Sequence, residues 1–202
     1  SMVEGAHEQA RFDDNRTRLD VIRRAVLGAE DLRLPAAGYV ADLGAPPTTL
    51  RDLLQPPATV PQYAVDATYK VGNGWRGPYL RAAARLTDGA LEFPDGWGTP
   101  EAFVGDPDFG WRLGANAPAP GDLTITSLGA DGAPGPTASS TLNYAVDTSL
   151  TISRDEHHVD LGPWRVEVTL DSVTLQTNVG LALRVWSPDG SATIQPIDGA
   201  RN

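Results

Sequence analysis

The sequence contains no cysteine, and this absence removes several kinds of chemistry. Without thiols there is no disulfide framework, no thiolate-ligated metal site and no cysteine nucleophile. Apolar runs near the roughly 20 residues that a membrane helix needs are also missing, as is a signal peptide. The opening pair Ser1-Met2 is typical of a cloning remnant. This pair leaves open whether a targeting or membrane segment was removed upstream.

Basic residues are scarce, and almost all of them are arginine. Lys and Arg together number 16 against 26 Asp and Glu, which gives a formal net charge of −10. Lys70 is the only lysine. This composition argues against a nucleic-acid partner, because phosphate binding needs clustered Lys and Arg. The acidic excess favours a soluble free domain.

Glycine and proline are plentiful but not periodic, with 21 and 17 residues scattered through the chain. Such a composition predicts many turns and long ordered loops. A length of 202 residues suits one large or two small domains and is enough to bury a sizeable core.

Residues 8–27 are predicted to form an amphipathic helix. The residues of its apolar stripe are Phe12, Leu19, Ile22 and Val26. Their spacings of seven, three and four place them on one helix face. On the charged face, Asp14 can pair with Arg18 and Asp20 with Arg24, both in the favourable acid-first order. The helix should end near Gly28, or fray on to Leu34 before Pro35.

The remaining pattern predicts short elements and then a β-rich end. Thr49 with Asp52 three residues later indicates a capping box and a short helix. Residues 123–128 alternate and are β-branched, which is typical of a strand. Residues 103–113 suggest a strand pair around a turn at residues 106–108. After Ser140, period-two segments predict a small antiparallel module. The predicted fold class is α+β, with a globular domain over 6–139 and a C-terminal β-module over 140–202.

Three motifs follow the helix in a fixed order. They are GWRGPYL (74–80), DGWGTP (95–100) and ITSLGADG (125–132). Together with the helix they resemble the globular domain of type II secretion pseudopilins, in the wider type IV pilin-like family. The resemblance covers about the first two thirds of the chain and does not include residues after Ser140.

The resemblance implies a non-catalytic filament subunit. In that family a hydrophobic N-terminal helix anchors the precursor in the inner membrane, and its N-terminus is methylated. In that family the same helix later forms the core of the fibre. The globular domain is periplasmic, and its partners are other pilin or pseudopilin subunits and secretion-assembly proteins. Residues 8–27 would then be the polar half of one longer helix.

Calcium is the one ligand that the resemblance suggests. Major pseudopilins bind it in the loop after the SLGADG segment, and the matching residues here are Leu128 and Asp131. Further acids expected a few residues later are missing, since 133–140 contain neither Asp nor Glu. Hard cations prefer six to eight oxygen ligands with several carboxylates. A simple turn at Asp131 competes with a calcium site, and Asp147 is the next acid that could complete one.

Other chemistry has weaker support from the residues. His157 and His158 are adjacent and would point to opposite faces of a strand, which favours a solvated edge over a metal site. No phosphate loop, nucleophile elbow or zinc-binding helix pattern occurs. The aspartates of 106–108 are typical of a turn. Trp75, Trp97 and Trp111 are interpreted as core anchors more readily than as a sugar platform.

An alternative function assigns binding to the C-terminal module. A pilin-like stem would display residues 140–202 to a secreted protein or a carbohydrate. An exposed aromatic patch, or a groove around Trp164 and Trp186, would support this alternative. A periplasmic enzyme would instead need convergent polar groups in a pocket, and the sequence indicates none.

Overall fold

The computed structural model describes most of the first 157 residues and two later strands. The described residues are 2–29, 36–68, 70–84, 89–98, 105–115, 121–135, 144, 146–157, 182–186 and 192–196. An N-terminal helix precedes a series of short antiparallel sheets, in agreement with the predicted α+β class.

Helix α1 spans Met2–Leu27 and would be about 39 Å long at 1.5 Å per residue. It ends where predicted, because Gly28 adopts φ 96° and turns the chain. The buried apolar side chains are Leu19, Ile22, Ala25 and Val26. From Glu4 to Asp14 no side chain is buried. The apolar stripe is therefore confined to the second half of the helix. No helix among the described residues has the length and apolar character to cross a bilayer.

The other elements are short. In chain order they are β1 (Gly28–Ala29), β2 (Ala36–Ala37), α2 (Tyr39–Leu43), a 3-10 helix (Leu50–Leu53), β3 (Ala64–Val65), β4 (Gly72–Asn73), β5 (Ala83–Ala84), β6 (Leu91–Glu92), β7 (Arg112–Ala115), β8 (Leu123–Ser127), a 3-10 turn (Gly129–Asp131), β9 (Thr148–Ile152), α3 (Arg154–His157), β10 (Ala182–Trp186) and β11 (Ala192–Pro196). The 3-10 helix begins at the predicted cap, since the Asp52 carboxylate accepts the Thr49 N–H at 3.0 Å.

The largest sheet has the order β7-β8-β9 and is antiparallel throughout. On β8, Leu123, Ile125 and Ser127 are buried, as the predicted alternation requires. Helix α1 packs against β9 and against α2. The core therefore lies between the second half of α1, this sheet and the Leu50–Leu53 helix.

The turn predicted at residues 106–108 is present, but the strand predicted after it begins later than expected, and residues 103–104 of the strand predicted before it lie outside the described residues. Residues 105 and 107–110 are in turns, and β7 begins only at Arg112 and pairs with β8. The physical reason is the Asp106 side chain. Its two carboxylate oxygens accept the N–H groups of Asp108 and Gly110, both at 2.9 Å, and these bonds close a tight turn.

Only parts of the predicted C-terminal β-module, residues 140–202, lie among the described residues. Strand β9 falls within 140–202, yet it forms the edge of the sheet that contains β8. Strands β10 and β11 form an antiparallel hairpin, with Ala182 opposite Pro196. The predicted strand around residues 164–175 lies outside the described residues. The division at residue 140 stays a prediction.

An ion pair between Arg23 of α1 and Glu156 of α3 joins the helix to the segment after β9. The hydrogen bond from Arg23, with a second from the Ser153 N–H, lowers the pKa of Glu156 below its ordinary value of 4.5. Because the native pKa is the lower one, the ionised carboxylate stabilises the fold above pH 4.5. That contribution is lost as the pH falls through the native pKa.

We expect Glu156→Gln to lower the free energy of unfolding at neutral pH by less than about 1 kcal/mol, since both partners are about one-third exposed. The difference from wild type should vanish at an acid pH below the native pKa of Glu156. Urea unfolding at the two pH values measures this, with Asp155→Asn as the control for an exposed neighbouring acid. An equal loss at both pH values would contradict the assignment.

Candidate functional site

A buried polar cluster joins α1 to two of the sequence motifs. Asn15 is 0% exposed and occupies a stripe position, three residues after Phe12 and four before Leu19. Its Nδ2 donates to Ser127 Oγ at 2.7 Å, and its Oδ1 accepts the Gly96 N–H at 2.7 Å. Both polar ends of the amide are therefore satisfied inside the protein.

Asp95 completes this cluster from the DGWGTP segment. One carboxylate oxygen accepts the N–H groups of Trp97 and Gly98, at 3.2 and 2.8 Å. The other accepts the Ser127 hydroxyl at 2.8 Å. Ser127 therefore receives a bond from Asn15 and donates one to Asp95. The three side chains form one connected chain of hydrogen bonds, which we call the Asn15–Ser127–Asp95 cluster.

Gly96 allows this close approach. A Cβ added at Gly96 would lie 2.6 Å from the backbone oxygen of Arg11 and 3.3 Å from Asn15 Oδ1. The first contact is with helix backbone, which cannot move aside as a flexible side chain could. A glycine is therefore required where the DGWGTP segment lies on α1.

The cluster does not have the arrangement of a hydrolase site. Ser127 is 0% exposed, so substrate has no access to its hydroxyl. Ser127 bonds directly to Asp95, without the imidazole that carries the proton in a Ser-His-Asp triad. His157 instead forms a 2.9 Å hydrogen bond with the Gly121 carbonyl. His158 lies outside the described residues. The cluster fixes the position of α1.

Sequence reasoning missed Asn15 and Ser127 as members of one site. A helix and a strand contribute them, and they lie 112 positions apart. The available signal was a polar residue on the apolar stripe of the helix. A buried amide there needs partners from elsewhere in the fold.

The GWRGPYL segment forms a second anchored turn. Trp75 is 3% exposed and its indole N–H donates to the Asp52 carbonyl at 2.9 Å. The Tyr79 N–H donates to the Leu53 carbonyl at 2.8 Å, and the Tyr79 hydroxyl donates to Asp42 at 2.8 Å. Burial and the adjacent Asp42 carboxylate raise the pKa of Tyr79. Burial, with the Asp52 charge, raises the pKa of Tyr39 to about 12.

The carboxylates of residues 106–108 support neighbouring backbone. Asp108 accepts the Leu50 N–H at 2.8 Å, at the start of the 3-10 helix. Arg51 donates to the Asp106 carbonyl at 3.2 Å. Burial raises the pKa of Asp108, and the Leu50 hydrogen bond opposes that rise. These contacts agree with the turn interpretation of the two aspartates.

The tryptophans do not form a sugar platform. Trp75 and Trp111 are only 3% and 2% exposed. Trp111 donates its indole N–H to the Phe93 carbonyl at 2.9 Å. Trp97 is half-buried and its ring lies 6.4 Å from that of Tyr144. Two of the three rings therefore have no exposed face to stack on a sugar, and the core-anchor interpretation holds for them.

The loop after β8 contains the residues predicted to bind calcium. Leu128 is buried, and Asp131 is exposed and accepts the Ala133 N–H at 3.1 Å. Asp147 comes back to this loop, where its Oδ2 accepts the Gly135 N–H at 2.9 Å. Its Oδ1 is buried without a hydrogen-bond partner. That oxygen is the one observation here that favours a cation.

The set of oxygen ligands that this loop offers to a cation is nevertheless small. The described residues contain no group of three or more His, Cys, Asp or Glu side chains that could hold a metal ion. Two carboxylates and the Leu128 carbonyl fall short of the six to eight oxygens that calcium prefers. A tight site is therefore not built by the described residues. Calcium at Leu128 and Asp131 stays a prediction, with Asp147 as the third ligand and a low expected affinity.

We expect about 10 mM calcium to raise the free energy of unfolding by about 1.4 kcal/mol if the dissociation constant is about 1 mM. Thermal melts with calcium, with chelator and with equal magnesium measure this effect. Asp147→Asn should abolish the calcium shift, whereas Asp13→Asn on the exposed face of α1 should keep it. Equal melting temperatures with calcium and with chelator would dismiss the site.

The chain matches no family model, no curated protein and no solved structure. The resemblance to pilin-like proteins therefore rests on the helix and its three motifs. The structure places parts of those motifs together, since the Asn15–Ser127–Asp95 cluster takes one residue from α1 and one from each of two motifs.

Proposed function

We propose that this protein is a non-catalytic structural subunit of a type II secretion pseudopilus or a type IV pilus-like filament. The observation that supports this proposal is the division of α1. Its second half contributes Leu19, Ile22 and Val26 to the core, whereas no side chain from Glu4 to Asp14 is buried. A helix with an embedded second half and a first half of exposed or half-buried side chains offers a surface to neighbouring subunits.

The chemistry of the loop residues also supports a structural role. Asp95, Asp106 and Asp108 all accept backbone N–H groups. The indole N–H groups of Trp75 and Trp111 donate to carbonyls. Polar groups occupied in this way position the loops, and they are not available to a substrate.

The location and partners belong to the same proposal. The globular domain would be periplasmic and held at the inner membrane by an apolar helix that precedes α1. Its partners would be other pilin or pseudopilin subunits and secretion-assembly proteins. The net charge of −10 makes a nucleic-acid partner unfavourable.

The native reading frame upstream of Val3 tests the proposal. It should encode a basic leader followed by about 20 apolar residues. A fusion of that frame to a reporter enzyme active only in the periplasm should be active and should sediment with membranes. Deleting the apolar segment is the matched control and should abolish membrane attachment. A reading frame that begins at Met2, or with a cleaved signal peptide, would overturn the proposal.

The alternative of a binding module over 140–202 gains no specific support. Of the two residues that would discriminate it, Trp164 lies outside the described residues, and Trp186 is described only as the last residue of β10. Ile194 on β11 is 54% exposed, but a single exposed apolar residue is common on protein surfaces. The alternative stays a prediction.

A further inference from the structure

The Asn15–Ser127–Asp95 cluster also contains the parts of an intramolecular acyl transfer. Ser127 offers a hydroxyl nucleophile, and the Asn15 side chain offers an amide carbonyl carbon. The two residues are each 0% exposed, and Asn15 Nδ2 lies 2.7 Å from Ser127 Oγ. Because an amide C–N bond is about 1.33 Å long, the Asn15 Cγ is no more than about 4 Å from that oxygen. A movement of about 1 Å or less brings Oγ within the separation of about 3–3.5 Å from which attack occurs.

Asp95 has the position of a general base for this reaction. Its Oδ2 accepts the Ser127 hydroxyl at 2.8 Å, which is within the reach of a base that takes a proton. Its other carboxylate oxygen accepts the N–H groups of Trp97 and Gly98, and these bonds fix the direction of the carboxylate. A hydroxyl becomes a strong nucleophile when an adjacent base removes its proton. Asp95 can therefore activate the hydroxyl that lies beside the Asn15 amide.

The Gly96 backbone supplies a donor for the oxygen that becomes negative. Its N–H donates to Asn15 Oδ1 at 2.7 Å, which is the distance of an oxyanion-stabilising donor. Asn15, Ser127 and Asp95 are at most 6% exposed, so water is largely excluded from the place where the charge develops. A fixed donor in such a site stabilises the charge more than it would in water. The same burial protects an ester from hydrolysis once it has formed.

We propose that Ser127 and Asn15 become joined by an ester bond, with the release of ammonia. Asp95 takes the Ser127 proton, and Oγ attacks the Asn15 Cγ to form a tetrahedral intermediate whose negative oxygen accepts the Gly96 N–H. The Cγ–Nδ2 bond then breaks, and Asp95 gives the proton to the departing nitrogen. One amide and one hydroxyl become one ester and one ammonia, so the reaction needs no other reactant.

The leaving ammonia has a way out of the site. Asp95 and Gly96 line a groove of about 1140 Å³ beside α1, so the departing nitrogen is released close to solvent. Dilution and protonation of ammonia in the solvent then oppose the reverse reaction. Each molecule needs only one turnover, and a slow reaction is sufficient. The product ties α1 to β8 across 112 positions of the chain, and a covalent bond resists a pull on the helix more strongly than hydrogen bonds do.

Mass spectrometry of the unfolded wild type tests the ester. The intact mass should fall below the sequence mass by one ammonia, and the modified fraction should grow during incubation at neutral pH. After trypsin digestion, peptides 12–16 and 113–154 should appear as one species whose mass is their sum less one ammonia. Mild alkali should separate the two peptides, because it hydrolyses the ester and leaves an aspartate at position 15.

Matched variants separate the chemistry from the fold. Ser127→Ala removes the nucleophile and should abolish the loss of ammonia. Asp95→Asn removes the base and should slow that loss by at least about 100-fold. Ser149→Ala and Asp13→Asn change an exposed serine and an exposed aspartate, and both should lose ammonia as the wild type does. Circular dichroism checks that each variant is folded.

A wild type that keeps its full sequence mass after prolonged incubation overturns the ester, whether or not the variants fold. A lost ammonia that maps to one peptide alone also overturns it, since a succinimide at Asn73-Gly74 would give that result. Loss of ammonia at the wild-type rate in folded Ser127→Ala or Asp95→Asn contradicts the assigned roles. The ester does not depend on an upstream membrane anchor, so the filament proposal stands or falls separately.

Discussion

Asp95→Ala is expected to lower the free energy of unfolding by about 3–5 kcal/mol. The substitution removes the acceptor for three donors at once, the N–H groups of Trp97 and Gly98 and the hydroxyl of Ser127. Asp95 is only 6% exposed, so water cannot easily replace it. Each donor left unpaired costs about 1–3 kcal/mol. Guanidinium unfolding followed by tryptophan fluorescence measures the loss.

Further variants distinguish the hydrogen bonds of the cluster from the charge of Asp95. Asp95→Asn keeps one acceptor oxygen and should cost about 1–2 kcal/mol. Asp13→Ala removes an exposed carboxylate and should stay within about 0.5 kcal/mol of wild type. In an Asp95→Ala background, Asn15→Ala should cost less than it does alone, because the two residues share Ser127. Equal effects of Asp95→Ala and Asp13→Ala would refute the role of the cluster.

Trp75→Ala is expected to cost about 3–5 kcal/mol. The ring is 3% exposed and packs edge-to-face on Tyr79, with ring centroids 5.6 Å apart. It also fills the space beside Gly77, where an added Cβ would lie 2.4 Å from the ring. Truncation leaves a cavity that this rigid turn cannot close. The midpoint of denaturant unfolding reports the loss.

A pair of conservative variants isolates the indole hydrogen bond. Trp75→Phe should cost about 1–2 kcal/mol, because the Asp52 carbonyl loses its donor. Trp97→Phe should cost less, since the buried Trp97 indole N–H has no hydrogen-bond partner to lose. A larger loss for Trp97→Phe than for Trp75→Phe would show that packing alone decides both sites.

Local signals in the sequence predicted some elements correctly. These elements depend on residues within a few positions of one another. They are the end of α1 before Gly28, the capping box of Thr49 and Asp52, and the strand from Leu123. Their periodicity, capping groups and positive-φ glycine act over one or two turns of chain. The turn expected at residues 106–108 is also present, but side-chain bonds of Asp106 extend it to Gly110, so the following strand begins only at Arg112.

The sequence by itself determined the α+β class, the end of α1 and the acidic surface, because these depend on composition and local spacing. Only the tertiary structure decided the role of Asn15 and the return of Asp147 to the loop after β8. Each of these depends on residues far apart in the chain, such as Asn15 with Ser127. A buried polar group takes whichever partner the packed core brings within about 3 Å, and local spacing does not specify that partner.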